Sequence, residues 1–185
     1  MRIAVAPGLS YHLINHGPCN LITTGNGTKK NAAPINWTMP LNDDPALVLT
    51  VIEKGDYTEK LLKESGEFVI NVMGESSAEK VLACGRVHGD QFDKFERFGL
   101  TPVLCAQVKA PYIKESIGHI ECRLINQHPY DSVTIYVGSV RHAEVEQDFW
   151  DGKNLILAKA KTIHHLTGGT FAVAERTITV SKTPI

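Results

Sequence analysis

The sequence predicts a mainly β protein with short helices, folded as a closed antiparallel barrel, and two observations carry this prediction. Short runs of strand-forming residues, separated by Gly, Pro, Asn and Asp, recur throughout the 185-residue chain. Helix signals are few, and strands at this spacing with few helices favour a barrel over a doubly wound sheet. No repeat, low-complexity tract or linker divides the sequence, so we expect one domain over residues 1–185.

Four strands are predicted in the first half, at residues 19–24, 32–38, 46–52 and 67–72. The turn-forming residues 25–28 end the first of them. The nearly continuous apolar run at 46–52 predicts a strand buried on both faces. The alternation of Phe68, Ile70 and Val72 with other residues predicts a half-buried strand.

Three helices interrupt these strands. Asp56 and Glu59 have the spacing of a capping box, and Gly66 is suited to end the helix that follows. Ser76 and Glu79 repeat the arrangement before a second helix. A shorter helical turn is predicted over residues 92–98, before a glycine.

The second half of the chain is more strictly β. Residues 117–127 and 132–144 form two long runs, and the connection 128–131 contains Pro and Asp, which predicts a hairpin. Short strands are predicted at 155–158, 170–173 and 177–180.

Composition excludes several classes of function. The net charge is −1 and basic residues are not clustered, so neither nucleic acid nor an anionic membrane is expected as a partner. No apolar run is long enough to span a bilayer, and residues 1–7 are too short an apolar run for a signal peptide, so we expect a cytoplasmic protein. The four dispersed cysteines predict reduced thiols. His12 and His16 have no ligand partner at a suitable spacing, so no metal site is expected.

The segment 31–40, followed by 44–50, carries the chemical signal. Small and amide-bearing residues lie beside Trp37 on an extended strand. Backbone groups of such a strand can pair with the polar edge of a flat heteroaromatic ring such as a flavin, while Trp37 and Met39 cover its face. From composition alone, a barrel strand with a core tryptophan explains the same residues.

Longer motifs resemble the flavin reductase-like family, and they follow one another in order along nearly the whole chain. The matching segments are Asn31-Ala32, Asn36-Trp37-Thr38-Met39-Pro40, Asp44-Pro45-Ala46-Leu47-Val48, Tyr57-Thr58-Glu59, residues 65–72, Gly85-Arg86-Val87-His88, Asp93-Lys94-Phe95, Gly99-Leu100-Thr101, residues 149–153 and Gly168-Gly169-Thr170-Phe171. The sequence is most similar to the flavoredoxins and the related FMN-binding ferric reductases of archaea and bacteria.

This resemblance implies a Greek-key-like split β-barrel that forms a homodimer and binds FMN without a covalent bond. It implies that FMN is bound by Asn31, Asn36, Trp37, Thr38, Thr50, Lys54, Thr58, Lys94, His128 and Phe171. Thr58 is expected to bind the phosphate at the start of the first helix, with Lys54 close by, because free amides and the helix dipole favour an anion there. Lys94 is expected to be the cation near the pyrimidine edge of the ring. Catalytic residues are not identified.

The resemblance further implies an oxidoreductase that passes electrons from NAD(P)H or a redox protein through bound FMN to an acceptor. Two alternatives stay open: a reductase that releases free reduced flavin, and an FMN-binding electron carrier or storage module without turnover. A split-barrel oxidase is a further possibility. Cys84, beside one of the motifs, is expected to be a buried, inert thiol rather than a redox-active one.

Overall fold

A computed structural model describes residues 2–26 and 28–180, so Gly27 of the predicted first turn lies outside the described residues. The strands of the described part are β1 (Asn20–Gly25), β2 (Lys30–Ile35), β3 (Thr38–Asp43), β4 (Ala46–Glu53), β5 (Glu67–Val72), β6 (Pro102–Val103), β7 (Tyr112–Ile113), β8 (Gly118–Tyr130), β9 (Val133–Val145), β10 (Thr162–Thr167) and β11 (Thr170–Ala174). Seven of them form one antiparallel sheet in the order β2-β1-β5-β8-β9-β4-β3.

The sheet must curl, because its two end strands are neighbours in sequence. Only Asn36 and Trp37 separate β2 from β3, yet these strands lie at opposite ends of the strand order. Two residues span only about 7 Å, so the ends of the sheet have to approach each other. The predicted split antiparallel barrel is confirmed. The extended segment predicted at 32–38 is in fact two strands with this short connection between them.

Four helices accompany the sheet: α1 (Tyr57–Ser65), α2 (Ala78–Gly85), α3 (Lys94–Phe98) and α4 (Leu157–Ala160). The first three confirm the predicted helices. Gly66 ends α1 in the left-handed conformation, with φ of 66°. The capping box is not formed, since the Asp56 side chain makes no cap and Glu59 accepts the N–H of Gly55 instead. Asp93 does cap α3, because its carboxylate accepts the N–H groups of Phe95 and Glu96.

The core lies on both faces of the sheet. On β1, Ile22 packs into the barrel interior with Phe68, while its neighbour Leu21 packs on the outside against the layer that contains Val81 of α2. Successive residues of a strand face opposite sides, so a strand with helices outside and barrel inside is buried on both. This outer layer of helices forms one wall of the site.

The burial of two strands is the reverse of the prediction. On β4 the fully buried residues alternate, at Val48, Thr50 and Ile52, whereas β5 is buried continuously from Phe68 to Asn71. β5 lies near the middle of the sheet between β1 and β8, where both faces are covered. The apolar content of a strand did not reveal this position.

The long hairpin is confirmed, but its turn is shorter than predicted. β8 continues to Tyr130, and only Asp131 and Ser132 connect it to β9. Pro129 pairs with Thr134 inside the ladder. A proline is tolerated there because β8 pairs with β5 only as far as Arg123, so the distal part of β8 pairs with β9 alone and its other edge is free.

Two of the late predicted strands are wrong. Residues 157–160 form α4, and residues 177–180 form no strand. The strand predicted at 170–173 is confirmed as part of β11, and its partner β10 was not predicted. The two form a hairpin around Gly168, whose φ is 56°. Among the described residues, no helix has the length and apolar character needed to cross a membrane.

Candidate functional site

A cavity of about 940 Å³ lies between the barrel and its outer helices. Its walls come from β2 and the residues after it, the start of α1, the end of α2 with residues 86–89, and the β10–β11 hairpin. A turn of 3-10 helix, Pro7–Leu13, contributes Tyr11 and His12. Pockets of 300–1,000 Å³ are typical of small-molecule sites, so this cavity is large enough for a dinucleotide-sized or smaller ligand.

Asn31 and Thr58, both predicted site residues, meet in the wall of this cavity. The Asn31 Nδ2 donates to the Thr58 Oγ1 over 2.8 Å, and both side chains are buried. Within the described residues, the Asn31 Oδ1 is buried without a hydrogen-bond partner. A buried carbonyl oxygen without a partner is destabilising by roughly 1–3 kcal/mol, so this atom is suited to accept a hydrogen bond from a ligand.

Lys94 lies in the same cavity, with its ammonium group buried. The Nζ donates to the backbone carbonyls of Ala32, at 3.1 Å, and Cys84, at 2.7 Å. Burial lowers the pKa of Lys94, although the nearby Cys84 and Asp56 raise it. An ammonium has three donors, and the two carbonyls occupy two of them.

Trp37 and the N-terminal residues form the rim. The indole Nε1 donates to the Oδ1 of Asn15 over 3.1 Å, and Tyr11 lies edge-on to the ring at 6.3 Å. About half of the Trp37 side chain is exposed, at 49%. Trp37 is therefore not a core residue, which removes the alternative explanation of this segment.

On another side of the cavity, a histidine connects Asn36 and Phe171. The Asn36 Nδ2 donates to the Nδ1 of His165 at 3.2 Å, and His165 Nε2 lies 2.9 Å from the carbonyl of Gly168. A single tautomer, protonated at Nε2, satisfies both contacts. Phe171 packs edge-on against the imidazole at 5.1 Å.

Four of the predicted residues lie outside the cavity wall of this chain. Thr38 and Thr50 pair with each other through their hydroxyls, 3.0 Å apart, on β3 and β4. The Lys54 Nζ donates to the carbonyl of Asp131 at 2.6 Å, at the tip of the hairpin. His128 is exposed on the distal part of β8. Their assignment to the cofactor stays a prediction.

Several cavity residues were not predicted, and basic residues are among them. Arg86 and His88 follow α2 and line the same cavity as Thr58. Other unpredicted polar residues of the lining include Tyr11, Asn15 and His165. Arg86 and His88 belong to the motif Gly85-Arg86-Val87-His88, so the sequence did contain a signal for them. Asn15 and His165 reach the cavity from opposite ends of the chain, and no local pattern marks them.

The thiols beside the cavity are not activated. Burial raises the pKa of Cys84 to about 11, and it outweighs the opposing charges of Lys94 and Lys80. The thiolate is therefore absent at neutral pH. This agrees with the expectation that Cys84 is inert.

The sequence and the fold both match known proteins. Residues 14–164 match the model of the flavin reductase like domain. An uncharacterized protein of Escherichia coli, YddH, is 31% identical over 175 residues, which cover 90% of this chain and 92% of YddH. The flavoredoxin of Desulfovibrio vulgaris superposes with a TM-score of 0.87 at 22% identity, covering 100% of this chain and 99% of its own. An FMN-binding protein of Thermus thermophilus superposes with a TM-score of 0.82 at 19% identity, covering 97% and 98% of the two chains.

The fold defines a split-barrel protein, with a cavity between the barrel and its outer helices. The chain belongs to the family of the flavin reductase like domain, because the family model covers most of its length.

Proposed function

We propose that the chain binds FMN in this cavity and acts as an oxidoreductase that passes electrons from a reduced donor to an acceptor. Family membership and the FMN-binding protein of Thermus thermophilus support the choice of cofactor. The observation that carries the proposal is the unpartnered Asn31 Oδ1 in the cavity wall, beside an aromatic rim. A flavin ring combines a polar edge with donors and apolar faces, which is what such a wall can bind.

The residues around Asn31 fit a planar ligand. Gly89 approaches the Asn31 amide so closely that a Cβ at this position would collide with Asn31 Oδ1 and come within 3.1 Å of the Tyr57 ring. The loop after α2 therefore closes over Asn31 with backbone alone. Apolar cover comes from Trp37 and Phe171.

The affinity expected for FMN is high enough for a prosthetic group that stays bound to the protein. FMN has roughly 30 heavy atoms, and at about −0.3 kcal/mol per atom the binding free energy is near −9 kcal/mol. This corresponds to a sub-micromolar dissociation constant. FMN is then expected to co-purify with the protein.

At the phosphate end, Thr58 and Arg86 are the residues we assign. The first amides of α1 are free, and the helix dipole favours an anion there. Asp56 and Glu53 also line this end, so a dianion needs a cation nearby. Arg86 supplies that positive charge from within the cavity, whereas Lys54 is engaged with Asp131.

At the ring, the Lys94 ammonium offers one remaining donor and a positive charge. Bound FMN supplies the capacity to accept and return electrons as a hydride or one at a time. A fixed cation near the pyrimidine edge stabilises the reduced, anionic form and raises the reduction potential. Lys94 acts through charge and position, and it transfers no proton in this scheme.

We further propose that the protein is a cytoplasmic homodimer. Trp37 at the cavity rim, Met39 and Leu41 are exposed and continue along β3, so a second copy could cover them. Thr38, Thr50 and His128, which lie outside the wall of one chain, are then candidates for contacts across the dimer.

The first test is the absorption spectrum of the purified protein. Flavin bands at a ratio of one FMN per chain support the proposal, and a colourless protein that does not bind added FMN overturns it. Consumption of NADH or NADPH is then measured with and without free FMN. Consumption that scales with free flavin identifies a reductase that releases its product, and reduction only by a redox protein identifies an electron carrier.

A further inference from the structure

A second group of chemically active side chains lies outside the cavity, on β8 and on the segment between β6 and β7. Cys105, His119 and Glu121 bring one ligand atom each to within 4.8 Å of the other two. His119 and Glu121 are buried, and Cys105 is half-buried. None of the three lines the flavin cavity. We propose that Cys105, His119 and Glu121 bind a divalent metal ion of borderline softness, such as Zn²⁺.

The distances suit a tetrahedral metal. His119 Nε2 and Glu121 Oε1 lie 3.6 Å apart, which is too long for a hydrogen bond. Ligand atoms bound at about 2.1 Å to a tetrahedral zinc are roughly 3.4 Å apart. Small side-chain movements therefore close the site around an ion. Thiolate, imidazole and carboxylate are the three ligand types that Zn²⁺ prefers.

Neighbouring groups hold His119 and Glu121 in place. The imidazole of His119 stacks on Tyr112, with ring centres 4.1 Å apart and planes inclined by 4°. Glu121 Oε1 and Oε2 accept the N–H groups of Ala106 and Gln107, at 2.9 and 2.6 Å. Each carboxylate oxygen retains a second lone pair. These two hydrogen bonds also fix the backbone of Ala106 and Gln107, which follow Cys105, relative to β8.

Charge favours a cation at this place. Both oxygens of Glu121 accept hydrogen bonds, as in a carboxylate, and the residue is fully buried. In the described residues its one partner at salt-bridge distance is His119. A buried anion without a cation is costly, and a dication compensates it. Zn²⁺ binds a cysteine as the thiolate, so metal binding displaces the thiol proton of Cys105.

The fourth position is available to β9 or to water. His142 and Glu144 pair across the ladder with Glu121 and His119, and their side chains contact each other at 2.8 Å. The ring of His142 is 6.5 Å from that of His119. A metal bound here connects the segment before β7 to the β8–β9 hairpin, so its role is structural.

The test is a titration of the full-length, chelator-treated protein with Co²⁺, a spectroscopic substitute for Zn²⁺. We expect one Co²⁺ per chain, d–d bands of tetrahedral intensity beyond the flavin absorption, and a sulfur-to-cobalt charge-transfer band in the difference spectrum. Added Zn²⁺ should remove these bands.

Cys105→Ser should lose the charge-transfer band, and His119→Gln should weaken binding at least tenfold. Cys84→Ser, which removes a buried thiol elsewhere, should bind as the wild type does.

Circular dichroism of each variant checks that it is folded, and a second readout is thermal unfolding. Zn²⁺ should raise the melting temperature of the wild type and of Cys84→Ser, but not that of Cys105→Ser. The inference is overturned if the wild type shows no charge-transfer band with Co²⁺, or if the band persists in Cys105→Ser. None of these readouts depends on bound flavin. A negative result therefore contradicts the metal site and does not bear on the proposed FMN site.

Discussion

The hydrogen bond between Asn31 and Thr58 couples β2 to the first turn of α1. The Thr58 hydroxyl accepts a hydrogen bond from the Asn31 Nδ2, and among the described residues the Asn31 Oδ1 is left without a partner. A side chain fixed in this way loses less conformational freedom when a ligand binds. The pair therefore matters for affinity even where Thr58 itself does not touch the ring.

We predict that Thr58→Ala weakens FMN binding by roughly 5- to 30-fold, which corresponds to about 1–2 kcal/mol for one lost buried hydrogen bond. Thr58→Ser keeps the hydroxyl and should bind within about threefold of the wild type. The dissociation constants are measured by titrating flavin-free protein and following flavin fluorescence. Equal affinity in Thr58→Ala and wild type would show that this residue is wrongly placed.

Lys94 provides a second prediction at the residue scale. Lys94→Ala removes a buried positive charge beside the ring and should lower the reduction potential of bound FMN, because the reduced anion loses its stabilising cation. A loss of about 1.4 kcal/mol corresponds to about 30 mV for a two-electron couple. Spectroelectrochemical titration measures the potential. The control is Lys80→Ala, which removes a lysine bonded to the Gly99 carbonyl; a potential unchanged in Lys94→Ala refutes the assignment.

The sequence identified Asn31, Trp37, Thr58 and Lys94 through long motifs, and all four line the cavity. It missed His165, which connects Asn36 to Phe171, because this contact joins residues 129 positions apart. The site is assembled by the closure of the barrel, and distances across that closure are not encoded in local spacing.

At the scale of elements, Glu59 attaches α1 to the sheet. Its Oε1 accepts from Tyr136 Oη on β9 at 2.7 Å and from Lys63 Nζ at 2.8 Å, and its Oε2 accepts from the N–H of Gly55. Burial raises the pKa of Glu59, but the bonds from Lys63, Gly55 and Tyr136 outweigh it and bring the pKa to about 2. The sequence suggested a local capping role, whereas the structure gives Glu59 a tertiary one.

This network predicts a specific acid sensitivity. The unfolded chain takes up a proton at Glu59 near the ordinary value of 4.5, and the folded chain only near 2, so the stabilisation is present above pH 4.5 and is lost as the pH falls towards 2. We expect about 2–3 kcal/mol of unfolding free energy to depend on it. Chemical denaturation at several pH values should show a shallower acid loss in Glu59→Gln than in the wild type.

The matched control for Glu59 is Glu79→Gln, which changes an exposed carboxylate at the start of α2. This variant should follow the wild-type pH dependence. Identical acid profiles for Glu59→Gln and wild type would contradict the role of the network.

Element boundaries followed from the sequence where capping and turn residues act locally, as at Gly66 and Gly99, which both end a helix with positive φ. The boundaries could not be predicted where they depend on the position of a segment in the folded molecule. Residues 157–160 are apolar enough for a strand, but they form a helical turn that ends at Lys161, which is itself left-handed with φ of 46°. Burial of β5 on both faces likewise depends on its place between β1 and β8.

At the scale of the whole molecule, β3 is an end strand of the seven-stranded sheet, so one of its edges has no strand partner in the described part of the chain. Trp37, Met39 and Leu41 lie just before and along β3, and they are 49%, 54% and 47% exposed. Exposed apolar residues clustered on an edge strand are typical of an interface. This agrees with the expectation of a homodimer.

We predict that the protein sediments at twice the chain mass of 20.3 kDa, and that Leu41→Asp shifts it towards the monomer. A buried charge at an interface is unfavourable, whereas the same charge on a free surface is tolerated. Leu104→Asp, a change at an exposed leucine away from β3, should leave the mass unchanged. Sedimentation equilibrium distinguishes the outcomes, and a wild type that is monomeric at micromolar concentration contradicts the dimer.

The most direct test of the account is a crystal structure of the protein grown with FMN. We predict the tricyclic ring in the cavity against residues 31–37, with a flavin donor within 3.2 Å of Asn31 Oδ1, as expected for a hydrogen bond, and the phosphate at the start of α1. A ring bound elsewhere, or a cavity filled by side chains with no space for the ring, would contradict it.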